Sequence, residues 1–530
     1  MAKGFLAIVL HAHLPFVRHP EQEDFLEERW LFEAISETYI PLLERFNHLN
    51  EEGIDFRLTI SLSPPLISML TDSLLQDRYI GFLSKMINLC EREIERTAHQ
   101  PEFHSLAVMY ANKYRNDFDC FVHKYEKNLI NAFSKLQKTG KVEIITCAAT
   151  HGFLPLLNLT PESVKAQISV AVQIFEKYFG SKPKGMWLPE CGYIPDLEKY
   201  LIENGVDYVL IESHGILFAN PRPVYGTFAP IVTPRGVVGF GRDIESSKQV
   251  WSSDVGYPGD HDYRDFYRDI GHDLDFNYIN PYILSDGKRI NTGIKYYKIT
   301  GKTQHKLPYN PSTASAKTEQ HALDFLSNRL KHIEFLENNM DKPPLFVCPY
   351  DAELFGHWWY EGPEWLYNLF KKLDKIPEEL SPITPGEYIN KFPLIQVASP
   401  CSSSWGANGY NEVWLNKSND WIYNHLQKAA QRMVEITNDN PNVGEGLLKD
   451  ALNQAARELL LAQSSDWAFI MKADTMVEYA KKRTNDHLSR FTKIYYDIKE
   501  NNLDEKWLRE VEWKDNIFPD IDYKVYKSIR

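Results

Sequence analysis

The sequence lacks the features that usually accompany binding to polyanions, membranes or nucleotides. Its 59 basic residues are outnumbered by 72 acidic ones, for a formal net charge of −13 at pH 7, which argues against a nucleic acid or an anionic membrane as partner. No apolar run approaches the ~18 residues that a membrane-spanning helix needs. No predicted strand is followed by GxGxxG or by a GxxxxGK loop ending in Ser or Thr, so the common dinucleotide and phosphate cradles are absent. A neutral or cationic ligand is compatible with this composition.

Cysteines are few and scattered. The six form no CxxC pair, which predicts neither a zinc site nor a disulfide framework, and we expect most of them to be buried as small apolar side chains. The apolar run GFLAIVL at residues 4–10 is only seven residues long, has Lys3 as the only charge ahead of it, and is followed by no cleavage site of a secretion signal. We therefore predict that this run is a buried strand and that the protein is cytoplasmic.

Aromatic residues are abundant, at 13% of the chain, and they cluster with acids and histidines. Aromatic faces beside carboxylates and amides suit sugar rings, which stack through their C–H faces while their hydroxyls need hydrogen bonds. The alternative is that many of these rings belong to the hydrophobic core.

Short apolar runs alternate with amphipathic helical segments, which predicts βα units and a parallel sheet. Such a pattern with this many strands favours a closed or nearly closed α/β barrel over a doubly wound sheet. After the proline-rich segment 381–393 the pattern turns helical, so we place a domain boundary near residue 400. The seven strand candidates are FLAIVL (5–10), FRLTISL (56–62), VEIITCA (142–148), GMWL (185–188), DYVLI (207–211), VVGFG (237–241) and PLFVCPYD (344–351).

Polar side chains follow the ends of several of these runs: His11 and His13, His151, Glu190 and Asp351. In an α/β barrel the carboxyl ends of the strands converge on one face, where active sites are built. The shared placement of these residues at predicted strand ends therefore indicates an active site.

Two of these residues are carboxylates in aromatic surroundings. Glu190 lies in GMWLPECGYIPD beside Trp187, and Asp351 lies in PLFVCPYDAELFGHWW close to Trp358. Retaining cleavage of a glycosidic bond needs two carboxyl groups about 5–5.5 Å apart, one as nucleophile and one as acid and then base. Burial against aromatic rings would raise the pKa of the acid. The alternative is that each acid caps a helix or pairs with a cation.

A rival interpretation uses the histidines. An HxH arm at the end of a first barrel strand, with further histidines and an aspartate, can hold zinc in amidohydrolases and some deacetylases. His11, His13, His151 or His214, and Asp351 would form that set, but it leaves the PECGY segment and the tryptophans unexplained. In a third interpretation the histidines are simply hydrogen-bonded near the barrel mouth.

Five motifs, taken in order, resemble the five sequence regions of glycoside hydrolase family 57. The resemblance implies an incomplete barrel of seven β/α units, a retaining double displacement on α-glucans, and no required metal or other cofactor. It implies that Glu190 is the nucleophile and Asp351 the general acid/base. The motifs are HAHLPF (11–16), HGFLPLL (151–157), MWLPECGY (186–193), PYDAELFGHWWYEGPEWL (349–366) and LLLAQSSDWAF (459–469).

Three further stretches, 212–226, 241–271 and 402–416, are most similar to the 1,4-α-glucan branching enzymes of that family. These cleave an α-1,4 bond and pass the chain to a 6-hydroxyl, as in the synthesis of glycogen. The resemblance implies a mobile loop whose Tyr225 closes over the site and favours transfer over hydrolysis. It implies that His11 contacts the donor sugar and that glucan is bound by Arg242, Trp251, Trp405, Trp414 and Asp466, to which we add His13, His151, Trp187 and Trp358 at the barrel mouth.

We therefore predict a barrel formed by residues 1–190 and 230–400, a small inserted domain at 191–229 and a helical C-terminal domain at 401–530 that contributes to the cleft. The expected partners are α-1,4-glucans as donor and acceptor, with no nucleic acid and no membrane. An α-amylase or a 4-α-glucanotransferase on the same scaffold is the first alternative, and a non-catalytic glucan-binding protein is another.

Overall fold

The apolar runs of the sequence form one sheet. A computed structural model describes residues 2–252, 255–284, 286–301, 303 and 305–529. The strands are β1 (Gly4–Ala12), β2 (Leu58–Leu62), β3 (Val142–Cys147), β4 (Gly185–Trp187), β5 (Tyr208–Ile211), β6 (Ile231–Val232), β7 (Val238–Gly241), β8 (Leu345–Asp351), β9 (Leu380–Pro382) and β10 (Gln396–Val397).

The strand order is β10-β6-β7-β5-β4-β3-β2-β1-β8, with β9 paired to β1. The stretch from β7 to β8 contains the seven predicted strands, and every pair within it is parallel. Its two ends approach each other, since the backbone N–H of Asp243, just after β7, donates to the carbonyl of Val347 in β8 at 2.8 Å. The sheet therefore curls into an incomplete seven-stranded α/β barrel, as predicted.

Residues of β1 alternate between two cores. Phe5, Ala7 and Val9 belong to the cluster inside the barrel, whereas Leu6 and Ile8 face the surrounding helices. Because successive side chains of a strand point to opposite faces, the odd-numbered positions that continue the strand, 11 and 13, point to the mouth of the barrel.

Helices cover the outside of the barrel and form the C-terminal region. Several begin at a clear cap: the Asp72 side chain accepts from the Leu75 N–H, and Thr384 with Glu387 forms a capping box. The α-helices of the barrel region are Glu28–Ala34, Ile40–Glu51, Pro64–Leu70, Ser73–Arg96, Pro101–Asp119, Leu129–Lys138, Leu154–Leu157, Pro161–Phe179, Glu198–Glu203, Ser213–Leu217, Ile244–Trp251, Ile270–Asp273, Phe276–Ile279, Pro311–Glu337, Gly362–Leu373 and Pro385–Lys391. Those of the C-terminal region are Trp421–Asp439, Leu447–Ala462, Ser465–Ala473, Val477–Lys499 and Glu505–Lys514.

The C-terminal helices pack directly on the barrel. The Thr150 hydroxyl donates to the carbonyl of Leu460, and the Gln167 amide donates to the Gln463 side chain at 3.2 Å. Buried residues of the helices Leu447–Ala462 and Val477–Lys499 belong to the same hydrophobic cluster as the outer face of β1. The short helix Ser465–Ala473 is thereby held against the barrel mouth.

The division of the barrel region differs from the prediction. Residues 191–229 do not form a separate inserted domain, because they contain β5, which pairs with β4 and β7 inside the sheet. A long excursion from the barrel lies instead between β7 and the helix Pro311–Glu337, where short helices and turns predominate. Among the described residues, no helix combines the length and the apolar character that crossing a membrane requires.

Candidate active site

A cleft of about 490 Å³ opens at the carboxyl ends of the barrel strands. It brings together side chains from all five motifs, which are separated by more than four hundred residues along the chain. Ten of the residues predicted from the sequence line it: His11, His13, His151, Glu190, Arg242, Trp251, Asp351, Trp358, Trp405 and Asp466.

The histidines form a stacked, hydrogen-bonded cluster at the base of the cleft. The His11 ring lies parallel to Trp187 at 4.6 Å between ring centroids, and His13 stacks on His151 at 3.9 Å. Nε2 of His11 lies 3.0 Å from Nε2 of His151, and Nδ1 of His11 lies 3.1 Å from the Ser61 hydroxyl. Both His11 nitrogens therefore have protein partners, and burial lowers the pKa of His11 well below its ordinary value.

Asp466 joins the C-terminal region to this cluster. Nε2 of His13 lies 3.1 Å from its Oδ2, and the Ser464 hydroxyl also donates to that carboxylate. Burial alone would raise the pKa of Asp466, but the nearby His13 and the hydrogen bonds lower it to about 2. Asp466 is therefore an anion at neutral pH, and its carboxylate is placed to orient His13.

Glu190 is presented by a strained turn. It follows β4 in the 3₁₀ turn Pro189–Cys191, with φ of 60° and ψ of 25°, a left-handed conformation that non-glycine residues seldom adopt and that is often found at functional sites. Its Oε2 accepts a hydrogen bond from the indole N–H of Trp405 at 2.7 Å, and its Oε1 lies 3.5 Å from the Ser465 hydroxyl. Burial, reinforced by the nearby Asp351, raises the pKa of Glu190 to about 7 despite the Trp405 bond.

Asp351 ends β8 at the position that pairs with His11 of β1. Among the described residues, no side chain or backbone N–H donates a hydrogen bond to its carboxyl group. Burial, reinforced by the neighbouring Glu353, raises the pKa of Asp351 to about 7, against the opposing effects of His13 and Arg242. The cleft thus holds two half-buried carboxyl groups, each of which can gain or lose a proton near neutral pH.

Exposed aromatic side chains form the rim of the cleft. Trp358 is 54% exposed and stacks on Phe266 at 4.4 Å, Trp251 is 43% exposed, and Phe469 is 49% exposed. Arg242 lies under this rim, where Nε of its guanidinium group is 3.0 Å from Glu212, and the group also faces the Trp405 ring at 5.9 Å. A ring of free aromatic faces around paired carboxyl groups is suited to a sugar polymer.

Two of the predicted glucan contacts are wrong in this structure. Trp187 is completely buried beneath His11, and Trp414 is 1% exposed because it stacks on Phe153 at 4.2 Å in a separate apolar cluster. Neither indole offers a face to the cleft. Trp187 instead supports His11 and Trp405, and Trp414 supports the segment that carries Trp405.

Tyr225 also lies away from the cleft, contrary to the prediction. Its hydroxyl donates to Asp341 at 2.6 Å, before β8 begins, whereas Asp351 ends that strand. The segment is fixed there, because the Leu345 N–H donates to the Phe228 carbonyl at 2.9 Å and the Val224 N–H to the Gln396 side chain at 2.9 Å. Tyr225 is therefore at the opposite end of the barrel from the two carboxyl groups.

The sequence reasoning missed several members of the site. Glu353 lines the cleft two residues after Asp351, and Phe469 lines it three residues after Asp466 on the same helix. Helical spacing of three could have indicated Phe469. Leu14 and Leu354 complete the lining.

The metal-site alternative is not supported by the geometry. His214 lies against Tyr410 outside the cleft, so it does not join the other histidines. The donor atoms of His11, Cys147 and His151 lie within 4.8 Å of one another, and so do those of His13, His151 and Asp466. The atoms of the second set already bond to each other, to His11 and to Ser465. We assign them as hydrogen-bonding residues.

The cleft defines a carbohydrate-active enzyme on an incomplete α/β barrel. A model of glycosyl hydrolase family 57 matches residues 7–399, and a model of the 1,4-alpha-glucan branching enzyme C-terminal region matches residues 425–526. The first match spans well over half of the chain, so this chain belongs to glycosyl hydrolase family 57. Membership of this family favours glycosidic chemistry over the amidohydrolase alternative.

Relatives with two different activities share the whole fold. A 1,4-alpha-glucan branching enzyme of Thermococcus kodakarensis is 34% identical over 99% of this chain and 79% of its own length. A branching enzyme from Pyrococcus horikoshii superposes with a TM-score of 0.89 at 32% identity, covering 100% of this chain and 97% of that one. An alpha-amylase from Thermotoga maritima superposes with a TM-score of 0.94 at 46% identity, covering 99% of both chains.

Proposed function

We propose that this enzyme is a retaining 1,4-α-glucan branching enzyme. It cleaves an α-1,4 bond of a linear glucan and passes the released chain to a 6-hydroxyl, forming an α-1,6 branch of a glycogen-like polymer in the cytoplasm. The observation that carries the cleavage chemistry is the pair of half-buried carboxyl groups, Glu190 and Asp351, at the mouth of a barrel rimmed with exposed indoles. The matched C-terminal region and the branching enzymes among the relatives support the choice of acceptor.

The proton distribution assigns the two roles. The pKa values of Glu190 and Asp351 are both raised to about 7, so each carboxyl group changes its protonation state near neutral pH. The indole N–H of Trp405 stabilises the anion of Glu190, whereas the carboxyl of Asp351 has no such donor among the described residues. The proton therefore resides on Asp351, which makes Glu190 the nucleophile and Asp351 the acid.

In the first step, an oxygen of Glu190 forms a bond to the anomeric carbon as the bond from that carbon to the 4-oxygen breaks. Asp351 transfers its proton to the departing 4-oxygen, which leaves as a free hydroxyl on the shortened chain. A glucan chain bound against Trp251 and Trp358 at the rim would displace water from the cleft and strengthen these charge interactions.

In the second step, the Asp351 carboxylate accepts the proton of an incoming 6-hydroxyl. The oxygen of that hydroxyl attacks the anomeric carbon, and the ester bond to Glu190 breaks, which restores both carboxyl groups and the original anomeric configuration. Branching and hydrolysis differ only in whether a sugar hydroxyl or water enters at this point.

Hydrolysis is the second candidate, and two observations favour it. The amylase from Thermotoga maritima resembles this chain over its full length. Tyr225, which the resemblance to branching enzymes predicts to lie in a lid that excludes water, lies at the other end of the barrel. An α-amylase would use the same two carboxyl groups.

Linkage analysis of the product from purified enzyme and amylose separates these activities. We expect new α-1,6 linkages, measured by proton NMR and by release of short chains with a debranching enzyme, to exceed new reducing ends. Product with reducing ends and no α-1,6 linkages would replace branching with hydrolysis. Glu190→Gln is the control, since it should abolish both products.

A further inference from the structure

A π-helical turn braces the loop that follows Asp351. The turn Ile35–Tyr39 is entirely buried, and π-helical turns within helices often occur at functional sites. Its Glu37 carboxylate lies 2.7 Å from Nδ1 of His357, and its Tyr39 hydroxyl donates to Oε1 of Glu353 at 2.5 Å. The two contacts fix both ends of the loop 353–357 onto a rigid element.

We propose that Glu353 is a positioning residue for glycosidic cleavage: held as an anion by Tyr39, it keeps the transferable proton on Asp351. This goes beyond the pairing of Glu190 with Asp351 and rests on the proposed acid role of Asp351. It gives the buried Tyr39, which does not itself line the cleft, an effect on the chemistry through its hydrogen bond to Glu353.

The argument depends on how hydrogen-bond donors are distributed between two neighbouring carboxyl groups. Oε1 of Glu353 accepts from the Tyr39 hydroxyl and from the backbone N–H of His13 at 3.2 Å. Donated hydrogen bonds favour a carboxylate over its protonated form. Asp351 receives none from the described residues, so the negative charge settles on Glu353 and the proton on Asp351.

The other charged groups around the two acids do not reverse this preference. Burial raises the pKa of Glu353 to about 7, but its contacts with Tyr39, with the His13 N–H and with His357 oppose that rise and favour its anion. Arg242 and His13 face Asp351 and favour its ionised form, but burial and the charge of Glu353 outweigh them. Glu190, which is near enough to Asp351 for the Asp351 charge to raise its pKa, is a second negative neighbour during the first step. A glucan in the cleft would remove water and reinforce the effect of Glu353.

The test is the pH dependence of kcat/KM for cleavage of amylose, followed by loss of iodine staining, which reports cleavage whatever the acceptor is. Glu353→Gln removes the negative neighbour of Asp351, so we expect the alkaline limb to move to lower pH by about one unit. Tyr39→Phe removes one of two donors to Glu353 and should move the same limb in the same direction by less. Tyr39→Phe also serves if Glu353→Gln does not fold.

A 4-nitrophenyl α-maltooligoside distinguishes positioning from a structural role. Nitrophenolate leaves with little help from an acid, so Glu353→Gln should retain near-normal kcat/KM on this substrate at pH 8 while losing about tenfold on amylose. Equal losses on both substrates would overturn the proposal in favour of a structural role. A raised KM with an unmoved alkaline limb would overturn it in favour of direct sugar binding.

Asp351→Asn separates this inference from the proposed function. If that variant keeps normal cleavage of amylose, the acid assignment itself fails. If it loses cleavage of amylose while Glu353→Gln leaves the alkaline limb in place, the assignment stands and the positioning role of Glu353 is excluded.

Discussion

The catalytic cleft and a buried cluster among the C-terminal helices use the same residue types in opposite ways. The C-terminal cluster consists of Glu458, His487, Asp515, Arg483 and Arg490. Asp515 lies 3.9 Å from Arg483 and also bonds Arg490, while Oε2 of Glu458 lies 2.7 Å from Nδ1 of His487. Two arginines lie beside the aspartate there. In the cleft, Glu190 has only the buried His151 ring at 3.9 Å, whose pKa burial lowers well below its ordinary value, and no cation pairs with Asp351 among the described residues.

The two regions differ in whether cationic side chains lie close to the buried carboxyl group. Burial would raise the pKa of Asp515, yet His487 and the two arginines lower it. In the cleft, burial dominates and the pKa values of both carboxyl groups rise to about 7. A buried carboxylate with matched cations is a structural element, and one facing an open cleft without them is available for proton transfer.

The largest effect should come from removing the nucleophile. Glu190→Gln keeps the shape of the side chain and its contact with Trp405 but cannot form the glucosyl ester, so we expect kcat on amylose to fall on the order of 10⁴-fold. Iodine staining of amylose measures the loss. The thermal midpoint should not fall, because a half-buried charge without a cation is replaced by a neutral group; a large fall would make Glu190 a structural residue like Asp515.

The opposite result is expected in the C-terminal cluster. Asp515→Asn removes the carboxylate that the buried Arg483 and the partly exposed Arg490 share, which should destabilise the protein by about 3 kcal/mol without changing kcat of the folded enzyme. Urea unfolding followed by circular dichroism measures the change. Asp486→Asn is the matched control, because the pair of Asp486 with Lys482 is exposed and should contribute less than about 1 kcal/mol. If the two variants lowered the free energy of unfolding equally, Asp515 would not have the structural role assigned to it here.

The hydrogen bond on Glu190 should set the acidic limb of activity. Below this limb both carboxyl groups are protonated and the nucleophile is lost; above the alkaline limb both are ionised and the acid is lost. Trp405→Phe removes the donor that favours ionised Glu190, so the pKa of Glu190 should rise further and the acidic limb should move to higher pH. We expect a loss of kcat/KM of about 10-fold at pH 6. A loss of equal size at every pH would indicate that Trp405 acts only by binding sugar.

The strands of the sheet could be predicted from the sequence, whereas the domain boundaries and the contacts between distant parts of the chain could not. The run DYVLI was recognised as a strand because burial on both faces requires an unbroken apolar run, even though the domain division based on resemblance placed it in an insertion. Trp405 and Trp414 come from one irregular segment, where no periodicity tells which indole faces the cleft. The bond between Tyr39 and Glu353 joins residues 314 positions apart, and no local pattern encodes such a contact.

Substitution of Tyr225 should have the smallest effect on activity. It tests whether this residue influences the choice between branching and hydrolysis. β8 separates it from Asp351, and a strand of that length spans roughly 20 Å. Because its hydroxyl bonds Asp341 and the neighbouring backbone is fixed to β8, Tyr225→Ala should leave the ratio of α-1,6 linkages to new reducing ends unchanged within about twofold. Trp251→Ala, at the rim, is the positive control and should raise KM for amylose.

Loss of branching with retained cleavage in Tyr225→Ala would mean that this segment detaches from β8 and crosses to the cleft. That movement would require breaking the Phe228 and Gln396 hydrogen bonds as well as the one to Asp341. Unchanged branching would instead place the exclusion of water with the residues that already border Glu190 and Asp351, namely Trp405, Trp358 and Phe469.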